Sequence, residues 1–265
     1  MDVQLSGKRA IVTGGSRGIG KAVARALASE GVAVAIGSRT IETLQASADE
    51  LGAGGATVVP IVVDTGQDAS VREFVSDAVG ALGGVDILVN CAARPSGQAR
   101  AAKVVEVDAE AFFADVNVKV LGYLRMIREV APLMAANGWG RIVNVDGLGA
   151  RMTGSVVTSM RNAAVAALTK NAADELGGSG INVSGVSPGL VRTEATPRVL
   201  GEQAAQQGLS VDQLEARIGD AYAIGRMVSA DEVAAVVTWL ASPLSVAVTG
   251  DVIACGGGAK GSIYY

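Results

Sequence analysis

The stretch Arg9 to Lys21, RAIVTGGSRGIGK, joins a short apolar run to a glycine-rich turn and then to a segment of helical period. Residues Arg9 to Thr13 are β-branched and apolar enough for a buried strand. Gly14, Gly15, Gly18 and Gly20 let the backbone reverse sharply and let strand and helix pack closely. From Lys21 the pattern is helical, so the turn ends on exposed helix N–H groups, the positive end of a peptide dipole. A strand, a glycine turn and a helix in this order open a βαβ unit, the one setting in which such a cluster cradles a pyrophosphate.

Outward from this unit the rhythm repeats. Further strands are predicted at Val32 to Ile36, Thr57 to Val63, Ile87 to Val89, Arg141 to Val145, Asn182 to Val186 and Val252 to Ala254. Helical periodicity fills Ser70 to Leu82, Ala109 to Ala136, Ala163 to Leu176 and Asp231 to Ala241. Near-continuous apolar strands alternating with amphipathic helices predict an α/β fold, a doubly wound Rossmann-type parallel sheet of about seven strands with helices on both faces. With no linker, charge block or repeat, residues 1–265 are expected to form one domain. The uncharged stretch Val233 to Gly250 is broken by Ser242-Pro243 and reads as a buried helix and turn rather than a membrane span.

Composition removes several kinds of chemistry. The 265 residues contain no histidine, which excludes Ser-His-Asp and Cys-His catalysis and removes the commonest metal ligand; no metal site is expected. Cys91 and Cys255 make neither a CxxC pair nor a disulfide framework, and no leader precedes the first strand, so a reducing cytoplasm is the expectation. With 26 acidic against 22 basic residues and no basic run, neither nucleic acid nor an anionic membrane is an expected partner. A small molecule is.

The second strand leads into Gly37-Ser38-Arg39, with no acidic side chain to grip an unphosphorylated ribose. Arg39, with Arg17 of the turn, supplies paired charge for a 2′-phosphate, so NADP(H) is expected over NAD(H). The plain alternative is that both arginines are solvated surface groups.

Several ordered motifs then accumulate: TGxxxGxG at Thr13 to Gly20, Asp64, Asn90-Cys91-Ala92-Ala93, Asn117, GRIVNV at Gly140 to Val145, and VSPGLVRT at Val186 to Thr193. Together, over nearly the whole chain, they resemble the short-chain dehydrogenase/reductase family. The resemblance implies a nicotinamide-dependent oxidoreductase. It carries cofactor contacts onto Gly14, Ser16, Arg17, Gly18, Ile19 and Gly20 of the turn, and onto Ser38 and Arg39. Asp64 and Thr65, Asn90 and Ala92, and Pro188, Gly189, Val191 and Thr193 complete that set.

The family's proton chemistry uses a serine, a tyrosine and a lysine four residues later, with an asparagine on the preceding long helix. Aligned on Ala163 to Lys170, Thr158 stands at the tyrosine and Asn162 at the lysine, while the serine falls at Gly147, or at Asp146 with a shorter loop. Asn117 matches the asparagine. No Tyr-x-x-x-Lys occurs anywhere, since Ile127 and Arg226 follow Tyr123 and Tyr222 at that spacing and Tyr264 and Tyr265 end the chain. A threonine hydroxyl has no accessible acidic pKa and an asparagine carries no charge, so ordinary carbonyl/alcohol redox is expected to be weak or altered. Asp146, a lid phenol at Tyr222, and the cations Arg151 and Arg161 are the candidate substitutes; for each, an ordinary loop carboxylate or solvated side chain is the more common reading. Two other functions stay open: a non-redox nucleotide- or ligand-binding protein, and a lyase or isomerase using Asp146 as base.

The segment 193–226 is long and rich in Gln, Glu and Ala, and reads as a lid over the carboxyl ends of the strands or as a helical insertion without a role. By resemblance the protein is a homo-oligomer, dimer or tetramer, pairing through the helices of Asn117 and Thr158, with Ile263-Tyr264-Tyr265 a candidate interface segment.

Overall fold

A computed structural model describes residues 2–94 and 103–261. In chain order the elements are β1 (Arg9–Thr13), α1 (Gly18–Ser29), β2 (Ala33–Ser38), α2 (Ile41–Gly52), β3 (Val58–Val62), α3 (Asp68–Leu82), β4 (Ile87–Asn90), α4 (Ala109–Val116), α5 (Gly122–Ala136) and β5 (Gly140–Val145). They continue through α6 (Val156–Leu176), β6 (Ile181–Ser187), β7 (Val191–Arg192), α7 (Thr196–Gln207), α8 (Val211–Gly219), β8 (Val228–Ser229), α9 (Ala230–Leu240) and β9 (Val252–Ala254). Seven strands form one parallel sheet in the order β3-β2-β1-β4-β5-β6-β9, the Rossmann-type architecture the alternation predicts. The order reverses between β1 and β4, which is where such sheets open a crevice at their carboxyl ends.

Both faces are buried because successive side chains of a strand point opposite ways. Ala10 and Val12 of β1 join Val23 and Leu27 of α1, Leu44 of α2 and Val233 and Val237 of α9 in one apolar layer. Ile11 turns the other way, into a layer with Phe74 of α3, Met126 and Val130 of α5 and Ala172 of α6. That two-sided burial is why AIV and VAVAI read as unbroken apolar runs.

Two differences from the periodicity have physical causes. The expected helix Ala109 to Ala136 is interrupted by a π turn, Asn117–Leu121, in which Gly122 N donates to Asn117 O; the inserted residue shifts the helical phase, which hydrophobic spacing cannot register. Helix α6 begins at Val156, well before Ala163, because Ser155 caps it by accepting from Thr158 N at 3.3 Å. Its first turns bury the polar Arg161 and Asn162, which masks the amphipathic pattern. The segment 193–226 holds α7 and α8, joined by a small core of Leu200, Ala204, Leu214 and Met227. Pairing of β7 with β8 closes this excursion at its base. Ile263, Tyr264 and Tyr265 lie outside the described residues.

Among the described residues no helix is long and apolar enough to cross a membrane, and Val233 to Gly250 forms α9, a short turn and the approach to β9.

The glycine turn is closed by contact. Gly14 has φ +71°, and a Cβ on Gly20 would lie 2.2 Å from the Gly14 carbonyl oxygen. Gly20→Ala is therefore expected to destabilise the fold by at least roughly 1–3 kcal/mol, read as a lowered urea midpoint; an unchanged midpoint would show that α1 can move off the turn at no cost.

Candidate active site

Two adjoining clefts lie at the carboxyl ends of the strands. The first, about 520 Å³, runs over the glycine turn and the ends of β2 and β3. Gly14, Ser16, Arg17, Gly18, Ile19 and Gly20 form its floor, with Ser38 and Arg39 after β2 and Asp64 and Thr65 after β3 on one side. Ala92 and Thr193 border the other side. Thr13 Oγ1 accepts from Cys91 N at 3.1 Å and Ala92 N at 3.2 Å, tying the end of β4 to the turn.

The donor set of this cleft fits a phosphate-bearing dinucleotide. At the N-terminus of α1 the Gly18 N–H donates to the Glu194 carboxylate, Oε1 at 2.8 Å. An anionic oxygen thus already stands where helix N–H groups favour one. Arg17 and Arg39 both line the cleft with exposed side chains. Asn90 lies beneath the lining: it is buried, its Nδ2 donates to Asn144 Oδ1 at 2.9 Å, and Asn144 Nδ2 donates in turn to Thr169 Oγ1 at 3.0 Å. It braces β4 against β5 and α6 beneath the crevice.

The second cleft, about 750 Å³, continues from the first past Ile19, Cys91 and Thr193. It brings together Asp146, Gly147, Thr158 and Asn162 with Pro188, Gly189 and Val191. Leu200 and Gln203 of α7 close it from above, so the inner side of the 193–226 excursion is part of the wall. Gly147 sits at φ +156°, and a Cβ there would approach Asn162 Nδ2 to 3.0 Å. A side chain at this position is opposed by both backbone and neighbour.

Asn117 is turned away from this cleft. Its Nδ2 donates to Gly66 O at 3.1 Å, and its Oδ1 accepts from Arg125 Nη2 at 2.9 Å. The π turn instead sends Lys119 inward, a residue that no motif spacing singles out. The Lys119 Nζ donates to Asp146 O at 2.7 Å and to Asn162 Oδ1 at 3.0 Å. Its only advance signal is a lysine set between Val118 and Val120 in an apolar run. Burial pushes the Lys119 amine down to about 7, and the nearby Arg161 cation adds to the shift, against the pull of Asp146, Cys91 and Asp115.

Asp146 is buried. Its Oδ1 accepts from Ser187 Oγ at 2.5 Å. Desolvation pushes this carboxyl up to about 6, opposed by the Ser187 hydrogen bond and the Lys119 charge. Arg161 Nη1 meets both Asp115 oxygens at 2.7 and 2.6 Å, a buried ion pair in the wall of the cleft. Arg151 donates to Val252 O at 2.9 Å, and its charge also acts to lower the Asp146 carboxyl. The Tyr222 hydroxyl accepts from Leu190 N at 3.1 Å and lines the cleft; the Tyr123 hydroxyl is buried and donates to Val145 O. Burial raises both cysteine thiols to about 12, which keeps them protonated and unreactive. Among the described residues no cluster of metal-ligating side chains occurs.

A family model described as enoyl-(acyl carrier protein) reductase matches residues 14–260. A sorbitol dehydrogenase of Cereibacter sphaeroides is 33% identical over 244 residues, 91% of this chain and 93% of that protein. A 3-oxoacyl-(acyl-carrier-protein) reductase of Thermotoga maritima is 34% identical over 258 residues, covering 97% and 99%. Among solved structures, an L-sorbose reductase from Gluconobacter frateurii complexed with NADPH and L-sorbose superposes with a TM-score of 0.93 at 27% identity, over 99% of this chain and 100% of that one.

The buried carboxyl makes stability depend on pH. Because its folded pKa is raised, Asp146 contributes fully below roughly pH 4, its ordinary range, and that contribution is lost as pH rises through about 6. Asp146→Asn is expected to be more stable than the parent at pH 8, with the gap closing at pH 4, by urea denaturation at both; an equal gap at the two pH values would contradict the assignment.

Proposed function

The chain belongs to the short-chain dehydrogenase/reductase family, and from that premise we propose that it is an NADP(H)-dependent oxidoreductase acting on a small carbonyl or alcohol without the family's Ser/Tyr/Lys set. The observation that carries this reading is the continuity of the two clefts: a glycine cradle flanked by Arg17 and Arg39 opens directly onto the pocket of Thr158, Asn162 and Lys119. A bound nicotinamide dinucleotide supplies or accepts a hydride. The chain's own residues do the rest. The turn from Gly14 to Gly20 would hold the pyrophosphate at the N-terminus of α1, where Gly18 N–H now donates to Glu194. Arg39 and Arg17 would hold the 2′-phosphate, and NADPH in the related L-sorbose reductase and in an actinorhodin polyketide ketoreductase supports that choice. Thr193, Pro188, Gly189 and Val191 border the nicotinamide end, and α7 with Leu200 shields the substrate from water.

At the reacting oxygen, Gly147 offers no hydroxyl, Thr158 no titratable one and Asn162 no charge. We read the site as a single domain's crevice with a lid at 193–226, and the exposed Phe113, Leu121, Leu124 and Met160 along α4 to α6 support a homodimer or homotetramer.

Engagement of Tyr222 and Tyr123 in backbone hydrogen bonds favours a second reading, in which the same clefts bind a nucleotide or ligand without redox turnover, or Asp146 serves as base in lyase or isomerase chemistry. A fluorescence titration with NADPH followed by a panel of aldehydes and ketones separates the two: binding with turnover supports the oxidoreductase, binding without turnover the alternative. NADPH is expected to bind more tightly than NADH, and Arg39→Ala to weaken NADPH at least about tenfold, ~1.4 kcal/mol, while leaving NADH unchanged. Equal affinities in the parent would remove the 2′-phosphate argument.

A further inference from the structure

Carbonyl reduction needs a proton at oxygen as well as a hydride at carbon. The residues aligned with the family's proton carriers offer none. Lys119 reaches that point from a different element. Its Nζ contacts Asn162 Oδ1 at 3.0 Å, and Asn162 is the residue aligned with the family lysine. An ammonium thus arrives beside α6 from the π turn between α4 and α5 rather than from α6 itself. Asp146 O and Asn162 Oδ1 occupy two of its three N–H bonds, which leaves one, and Lys119 lines the same cleft as Thr158 and Gly147.

We propose that Lys119 is the catalytic proton donor and acceptor for the reacting oxygen of the substrate, an inference that rests on the redox reading above. In reduction, hydride from the bound dinucleotide adds to the carbonyl carbon and the C=O π pair moves onto oxygen. That oxygen takes a proton from Lys119: one N–H bond breaks and one O–H bond forms. The products are an alcohol, the oxidised dinucleotide and a neutral Lys119 amine, which regains its proton from water. Alcohol oxidation reverses each step.

The surroundings suit an amine to this task. An ordinary lysine, near 10.4, is a poor acid at neutrality; desolvation lowers this one into the range where donation and recovery are both fast. The groups facing it are Asp146 after β5, Cys91 after β4, Asp115 of α4 and Arg161 of α6. Cys91 stays neutral, and Arg161 is bound to Asp115. Of the charges, Arg161 lowers the amine most and Asp146 raises it most, with Asp115 contributing less, so Asp146 is the neighbour whose ionisation tunes the amine. In this arrangement Asn162 acts as a positioning residue, orienting the ammonium through its Oδ1.

The test combines a titration with a rate profile. In protein carrying 13C-labelled lysine, the Lys119 ε-carbon, assigned by its loss in Lys119→Arg, is expected to titrate near neutrality and to shift when NADPH is added. Reduction by the parent is expected to fall about tenfold per pH unit above that midpoint. Lys119→Arg keeps a cation that cannot release its proton, so it is expected to bind NADPH as the parent does and to lose about 10²–10⁴ in kcat. Lys119→Met serves as the second variant. A Lys119 signal titrating in the ordinary lysine range, or an arginine variant reducing carbonyls at the parent's rate with the parent's pH profile, would overturn the assignment while leaving the oxidoreductase reading intact. If both variants lose NADPH binding, the parent's titration and pH profile decide. A parent that binds NADPH and reduces no carbonyl ends the redox reading and this inference with it.

Discussion

The reversal of strand order between β1 and β4 is the constraint from which the site follows. Parallel strands joined by helical crossovers place successive helices on one face until the order turns, and then on the other. At the turning point the loops after β1 and β4 diverge and leave a crevice. Here the glycine turn forms one lip, and Cys91 and Ala92, held to Thr13 Oγ1, form the other. The contact of Gly20 with the Gly14 carbonyl presses α1 into line behind that lip, so its N–H groups face the cleft rather than solvent.

The far end of the crevice is set by electrostatics inside a dry wall. Lys119, Arg161, Asp115 and Asp146 bring two cations and two carboxylates into a buried cluster. Ions are expensive to desolvate unless paired and hydrogen-bonded. Arg161 and Asp115 meet that cost by direct pairing. Lys119 and Asp146 meet it incompletely: the ammonium bonds the Asp146 backbone oxygen rather than its carboxylate, which instead accepts from Ser187. Desolvation therefore outweighs their mutual attraction and drives both groups toward neutrality, the amine downward and the carboxyl upward. A better ion pair would have held both charged and chemically inert.

Much of the fold was legible because its signals are local. Strand β9 falls at Val252–Ala254 as the apolar run predicts, and the turn residues Gly14 to Gly20 need only their own sequence to announce a helix N-terminus beside a strand. Residues predicted to hold a cofactor from Ser38, Arg39, Asp64 and Thr65 do share one cleft, since each follows a strand end and a parallel sheet gathers those ends along one edge. The second cleft was less legible. Asn117 occupies the matching motif but is drawn to Gly66 and Arg125, whereas Lys119, two residues on, enters the pocket.

Composition and spacing sufficed to establish the α/β alternation, the glycine turn between β1 and α1, the absence of histidine and the lack of any Tyr-x-x-x-Lys, because each is a property of neighbouring residues or of a simple count. Which side chain faces the reacting space depended on packing. A single π turn rotates the helix after Asn117, and burial among α4, α6 and β5 lowers the Lys119 amine from its ordinary value. Neither effect has a local signature, since helical phase and desolvation arise only when distant segments close around the same few atoms.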